Sequence, residues 1–223
     1  MVTSIAPIET RYAGYRFRSR LEARWAVFFD HLNIRWEYEP QGFNINGRPY
    51  LPDFYLPQSG LWVEVKGSEE HLNIELLFNA VIPHCGLPAD PSGSPIDDPS
   101  RAGKRLLILG PVQQAGPVVD LSGEPAFYHW PAPVVLSFWK GDVIEECVTF
   151  AEDGSVSEFF TQGLVGNDSP EIYWDTHKTQ WGNWVNGGGV LSEDPNEAVV
   201  GAYRAAREAR FEHGEKGAPG GRR

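Results

Sequence analysis

The stretch that most constrains this chain runs from Tyr50 to Gly67, Y-L-P-D-F-Y-L-P-Q-S-G-L-W-V-E-V-K-G. Apolar and aromatic residues alternate with others from Tyr50 to Leu56, and Leu61 to Lys66 is rich in β-formers. Between them, Pro57-Gln58-Ser59-Gly60 is a turn-forming cluster. The spacing predicts a tight antiparallel hairpin in which Leu56 faces Leu61 and, counting outward, Asp53 faces Glu64. Opposed side chains in such a ladder have Cβ atoms roughly 4.5–5.5 Å apart, where like charges repel. Glu64 and Lys66 are two residues apart and share a face, while Val63 and Val65 point the other way, toward a core. The hairpin therefore crowds two carboxylates and an amine together. A divalent cation between the carboxylates offsets that cost, because Mg²⁺ is commonly held by one or two carboxylates plus waters and phosphates.

Upstream, Leu21, Trp25, Phe28, Phe29 and Leu32 fall on one stripe at helical spacing, which predicts a helix over residues 20–32. Glu22 lies at the edge of that stripe and has two readings. Ser19-x-x-Glu22 is a capping box, in which Glu22 bonds the Ser19 amide and does no chemistry. Alternatively, Glu22 contributes to the site that the hairpin acids begin.

Pro52-Asp53 followed by Glu64-Val65-Lys66, with Glu22 on a preceding helix in S-R-L-E-A-R-W-A, resembles the signature of the PD-(D/E)XK nuclease superfamily. The resemblance covers about residues 11 to 66 and continues to about residue 110. It implies an α/β fold, a mixed central sheet flanked by helices with a restriction-endonuclease-like α-β-β-α-β core. It implies a nuclease that hydrolyses DNA phosphodiester bonds with Mg²⁺ or Mn²⁺. In that reading Asp53, Glu64 and the Val65 carbonyl ligate the metal, and Glu22 ligates a second ion or positions a water. Lys66 then orients or deprotonates the attacking water. By analogy, the small size and the lack of a recognisable sequence-reading module lean toward a structure-directed or weakly specific endonuclease. DNA is the expected partner, a homodimer is compatible with it, and the expected place is the cytoplasm of a bacterial host, with a phage- or plasmid-like source. The alternative is a catalytically inactive module of the same fold, binding nucleic acid or a protein partner.

The rest of the chain is read around this core. Arg11, Arg16, Arg18, Arg20 and Arg24 interleave with Tyr12, Tyr15 and Phe17. Arg16, Arg18, Arg20 and Arg24 are candidates for a phosphate track; an irregular strand with solvated arginines is the plainer reading. Residues 34–40 alternate as a strand, with Trp36 and Tyr38 inward or stacked, and 43–45 extend the sheet before an Asn46-Gly47 turn. Trp62 either stacks on nucleic acid or covers core. A helix is expected over 68–82 and a buried strand over 104–110, joined by a crossover that is right-handed if the strands are parallel. Lys104 and Arg105 open that strand. Residues 83–103, rich in Pro, Gly, Ser and Asp, read as a surface loop insertion within a core spanning 1–110.

Residues 111–190 read as a β-rich, Trp- and Gly-rich extension, with strands at 134–139 and 143–150 and a further one toward Phe160. Asp175, His177, Trp174, Trp181 and Trp184 within it either form a binding surface or pin an irregular lobe. Asp194-Pro195 starts a C-terminal helix within 191–214, running to about His213, and 215–223 read as a disordered tail.

Composition constrains the partners. The net charge of −11 is unlike that of a generic nucleic-acid binder. Residues 1–66 nevertheless hold eight Lys/Arg against seven Asp/Glu, so the excess acid lies after the hairpin. Cys85 and Cys147 have neither zinc spacing nor a disulfide framework, which fits a reducing compartment. No apolar run is long enough to span a membrane.

Overall fold

The computed structural model describes residues 8–68, 71–82, 86–88, 106–112, 118–119, 125–126, 133–139, 142–150, 154, 156–159 and 197–211. The elements are β1 (Thr10–Tyr12), β2 (Tyr15–Phe17), α1 (Arg20–His31), β3 (Glu37–Tyr38), β4 (Phe43–Ile45), β5 (Arg48–Tyr50), β6 (Phe54–Leu56) and β7 (Leu61–Val65). They continue with α2 (Ile74–Val81), β8 (Leu106–Leu109), β9 (Val118–Val119), β10 (Pro125–Ala126), β11 (Val134–Trp139), β12 (Asp142–Phe150), β13 (Val156–Phe159) and α3 (Glu197–Glu208). The chain is α/β, built on a seven-stranded mixed sheet in the order β13-β12-β11-β8-β7-β6-β3. Among the described residues only β7 and β8 pair in parallel, and α2 lies in the connection between them.

Alternation along the strands sorts the core into two layers. Phe54, Leu56, Leu61, Val63, Val65, Leu107 and Leu109 face one way and pack with Trp25, Phe28 and Phe29 of α1 and Ala202 and Tyr203 of α3. Trp62, Leu106, Ile108 and Leu136 face the other way and pack with Leu77, Ala80 and Val81 of α2. The apolar stripe of α1 is buried as its spacing requires, with Trp25, Phe28 and Phe29 each at most 2 % exposed. Phe28 meets Phe150 at 4.8 Å and Tyr203 at 4.6 Å between ring centroids, so it joins α1, the sheet and α3. The Trp25 indole N–H donates to the Gly110 carbonyl at 2.8 Å, fixing α1 to the end of β8.

Several boundaries differ from the sequence reading. The strand expected over 34–40 shortens to β3, and Trp36 turns aside to donate to Asp30 at 2.9 Å. Residues 43–50 do not extend the sheet. They form a separate two-stranded ribbon, β4-β5, around the Asn46-Gly47 turn, where φ is 50° and 82°. Tyr50 belongs to this ribbon, so the central strand begins after Pro52. The helix expected over 68–82 starts only at Ile74, because the Asn73 side chain caps it by accepting from the Leu76 amide at 3.1 Å. The last helix ends at Glu208 rather than near His213, and Phe211 beyond it packs edge-on against Tyr12 at 6.1 Å. The arginine-rich segment is a regular hairpin, β1-β2, closed by Ala13 and Gly14 with φ of 48° and 88°.

The strands expected at 134–139, 143–150 and toward Phe160 are present as β11, β12 and β13, and β11 pairs with β8 in the same sheet. Most of the 83–103 loop, Lys104 and Arg105, the 160–190 segment with Trp174, Asp175, His177, Trp181 and Trp184, the Asp194-Pro195 helix start and the 215–223 tail lie outside the described residues. Among the described residues no helix is long and apolar enough to cross a membrane.

Phe28 is wholly buried between three elements. Phe28→Ala is expected to lower unfolding stability by about 3–5 kcal/mol, measured by urea denaturation. A loss under 1 kcal/mol (about the cost of a surface change) would show that α1 is not packed as described.

Candidate active site

The site is built by the register of β6 against β7. Leu56 pairs with Leu61, Tyr55 with Trp62 and Phe54 with Val63, where the paired register ends, and Asp53 follows as a bend close enough to Glu64 to feel its charge. The Asp53 amide donates to the Val63 carbonyl at 2.9 Å, and the Val65 amide donates to Asp53 Oδ2 at 2.7 Å. Asp53 thus extends the ladder with its own side chain. Glu64 pairs in register with Ile108 of β8, whose side chain lies in the α2 layer, so Glu64 lies on that face. Both are buried, at 5 % and 6 % exposure. Lys66, one pleat further, forms an ion pair with Glu64 Oε1. Tyr50 supplies the other contact, its hydroxyl donating to Glu64 Oε2 at 2.9 Å.

Electrostatics follow from this crowding. Burial, then the Glu64 charge, push the Asp53 carboxyl up to about 8; Lys66 and the Val65 amide pull it back only in part. Glu64 meanwhile receives the Tyr50 hydroxyl and the Lys66 ammonium. For Lys66 burial is the largest influence and lowers its affinity for a proton, yet Glu64 and Asp53 together outweigh it and leave it raised. Lys66 therefore stays charged. Burial, and next the Glu64 charge, also drive the Tyr50 hydroxyl well above its usual range, so it remains a donor.

Glu22 belongs to the opposite layer. Its carboxylate accepts from the Ser19 hydroxyl at 2.6 Å, the Arg18 amide at 3.1 Å and the Tyr38 hydroxyl at 2.7 Å, while Ser19 Oγ accepts from the Glu22 amide at 3.2 Å. This is a cap, made one residue earlier than a capping box reaches, since the amide it satisfies is that of Arg18 rather than Ser19. Its charge still bears on Asp53 and Lys66, as the smallest of the influences on each.

The four candidate arginines are not one row. Arg18 lines the cleft beside Glu64 and Lys66 and pairs with Glu39. Arg16 is exposed and pairs with Glu9. Arg20 opens α1, and one turn on, Arg24 has a buried Nε with no hydrogen-bond partner. Trp62 is 7 % exposed and packs against Phe43 and Tyr55, which is the core reading. Val65 turns its side chain to the α1 layer and gives its amide to Asp53.

Glu64 and Lys66 open on a cleft of about 470 Å³, whose lining also includes Arg18, Tyr50 and His71. Sequence reading missed Tyr50 and His71. Alternation along a central strand from Tyr50 to Leu56 turns Tyr50 away from Glu64; it reaches Glu64 because it belongs to β5 instead. His71, bonded to Ser68 through Nδ1 at 3.1 Å, lies in a turn before α2 that carries no periodic signal.

The residues can be tested against the metal that the resemblance implies. Among the described residues no three His, Cys, Asp or Glu side chains gather into a ready cage. Two neighbouring carboxylates do fit the sparse protein contribution that Mg²⁺ takes, with waters and phosphate completing its shell. Compared with family models, with curated proteins and with solved structures, the chain matches none.

A carboxyl raised by folding binds its proton more tightly in the native state. Its stabilising effect is full below the unfolded value of 3.8 and is lost as pH rises through about 8. Asp53→Asn, which keeps an acceptor for the Val65 amide, removes that loss. In metal-free buffer the variant is expected to match wild type near about pH 4 and to exceed it by a few kcal/mol at about pH 8, read by thermal melts across pH. A constant difference across that range would contradict the buried, repelled acid.

Proposed function

We propose that this protein is a divalent-metal-dependent nuclease that hydrolyses DNA phosphodiester bonds. The observation that carries the reading is the pair of buried, mutually repelling acids, Asp53 and Glu64, with Lys66 bonded to Glu64. Folding works against such an arrangement, since burial and like charge both oppose ionisation of the pair. A site that keeps it needs a use for concentrated negative charge. The order α1, β6-β7, α2, β8 around it is the order that the PD-(D/E)XK resemblance implies, and supports the same reading.

Asp53 and Glu64 would hold the metal, which when bound polarises a phosphate oxygen and lowers the pKa of its water. The chain's own groups do the rest. Tyr50 fixes the Glu64 carboxylate from the side away from Lys66. Lys66 stays protonated beside the acids, so it orients water and offsets charge on the phosphate rather than acting as a base. Glu22, saturated by three donors, holds the α1 N-terminus and Tyr38 in place and adds negative potential. Arg18 at the cleft offers a phosphate contact, with Glu39 occupying its guanidinium until one arrives.

One observation favours a second reading, a non-enzymatic module of the same fold. Lys66 already compensates Glu64, so the pair is partly balanced without a metal. Incubation with linear, circular, single-stranded and branched DNA plus Mn²⁺ separates the two. The nuclease reading expects cleavage, abolished by Glu64→Ala and reduced about a hundredfold by Lys66→Ala. Lys66→Ala cutting as fast as wild type would remove Lys66 from the reaction, and DNA binding without cleavage under every condition would favour the module.

A further inference from the structure

We propose that the cleft beside Glu64 and Lys66 takes one unpaired nucleotide of a DNA strand, so that the protein acts on single-stranded or splayed ends rather than on intact duplex. This rests on the nuclease reading and adds the substrate class to it.

The cleft has a mixed lining. Phe43, Leu51 and Leu76 contribute apolar surface, Arg18 and Lys66 contribute positive charge, and His71 adds a polar ring. Its volume of about 470 Å³ lies among those of small-ligand sites, which are largely apolar with a few placed polar groups. Leu51 is 36 % exposed, a large apolar side chain left open in the same cleft as the buried Glu64. A base stacked against Phe43 and Leu51 would cover it, with the attached phosphate toward Arg18 and Lys66.

The apolar surface is braced. Phe43 stands edge-on to Trp62 at 4.9 Å, and Trp62 in turn leans on Tyr55 at 4.6 Å. The β4-β5 ribbon carrying Phe43 is tied to α2 by Arg48 donating to Glu75 at 3.0 Å and by Asn46 Nδ2 donating to Asn79 Oδ1 at 2.8 Å. A surface so held loses little freedom when a flat base lies on it. In a duplex both faces of each base are covered by its neighbours, so no face is offered to Phe43.

Charge argues the same way. Duplex binding without base contacts depends on many free cations along a phosphate track. Here the net charge is −11, and Arg16 and Arg18 are engaged by Glu9 and Glu39. Phosphate attraction alone is thus weak, and stacking has to supply part of the affinity.

Fluorescence anisotropy on the full chain in EDTA tests this with three labelled DNAs of equal length: a single strand with bases, an abasic single strand, and a blunt duplex. The base-bearing strand is expected to bind about tenfold more tightly than the other two, the size of one base–aromatic stack. Leu51→Ala and Phe43→Ala are expected to abolish that preference; Leu51 is exposed, so its variant keeps the fold, checked by circular dichroism. Equal binding of the base-bearing and abasic strands, a duplex bound as tightly as the single strand, or a preference surviving in Leu51→Ala would each overturn the proposal. Mn²⁺-dependent cleavage is scored separately on the same DNAs. Cleavage without the binding preference refutes the nucleotide cleft alone, and preference without cleavage refutes the nuclease reading alone.

Discussion

Two like charges buried close together set the terms for the rest of the molecule. Asp53 comes to Glu64 because Leu56 pairs with Leu61 and the register holds out to Phe54 and Val63, beyond which the Asp53 amide bonds the Val63 carbonyl and its side chain accepts from the Val65 amide. A shift of one residue would turn every side chain of the hairpin to the other face. That register is locked by apolar burial: Phe54, Leu56, Leu61 and Val63 are all fully buried on the α1 side. The energy that holds the acids together is therefore supplied by the opposite face of the same two strands. The local answer to the repulsion is twofold: an ammonium on Glu64, and hydrogen bonds from Val65 and Tyr50.

The layers around the sheet divide the labour. The α1 and α3 layer is a dense aromatic core of Trp25, Phe28, Phe29, Phe150 and Tyr203, with ring centroids 4.6–6.0 Å apart in the pairs that involve Phe28. The α2 layer is thinner, and the β4-β5 ribbon folds over it to form one wall of the cleft. Glu22 and Tyr38 tie the first helix to β3 at the edge, so that the N-terminus of α1 stays near the hairpin. The proposed chemistry thus occupies the thinner side of the sheet, while stability is concentrated on the other.

Much of this was legible in the residues. The hairpin register followed from four turn-forming residues and strict alternation, both local signals. The α1 stripe was legible because Trp25, Phe28 and Phe29 repeat at helical spacing. The start of α2 was not, because Ser68 to Asn73 has helix-compatible composition and only the Asn73 cap, a side-chain contact, stops the helix there. Tyr50 was hidden for a topological reason: the Asn46-Gly47 turn was visible, but not that its ribbon would separate from the main sheet and return Tyr50 to Glu64. Glu22 carried both a cap pattern and a family position, and spacing alone gives the two the same residue. Two of the row's arginines, Arg16 and Arg18, pair with Glu9 and Glu39, contacts that no sequence spacing announces.

The central claim is that Asp53 and Glu64 are kept together to bind a divalent cation. Titration of Mn²⁺ into metal-free protein, followed by the shift in melting temperature, tests it without any substrate. A ligand that binds only the folded state stabilises it by RT ln(1 + [L]/Kd), about 2.7 kcal/mol at a hundredfold excess over Kd. The account predicts a saturating rise in wild type that is absent in Asp53→Asn and Glu64→Gln. No rise in wild type, or the same rise in both variants, would contradict it.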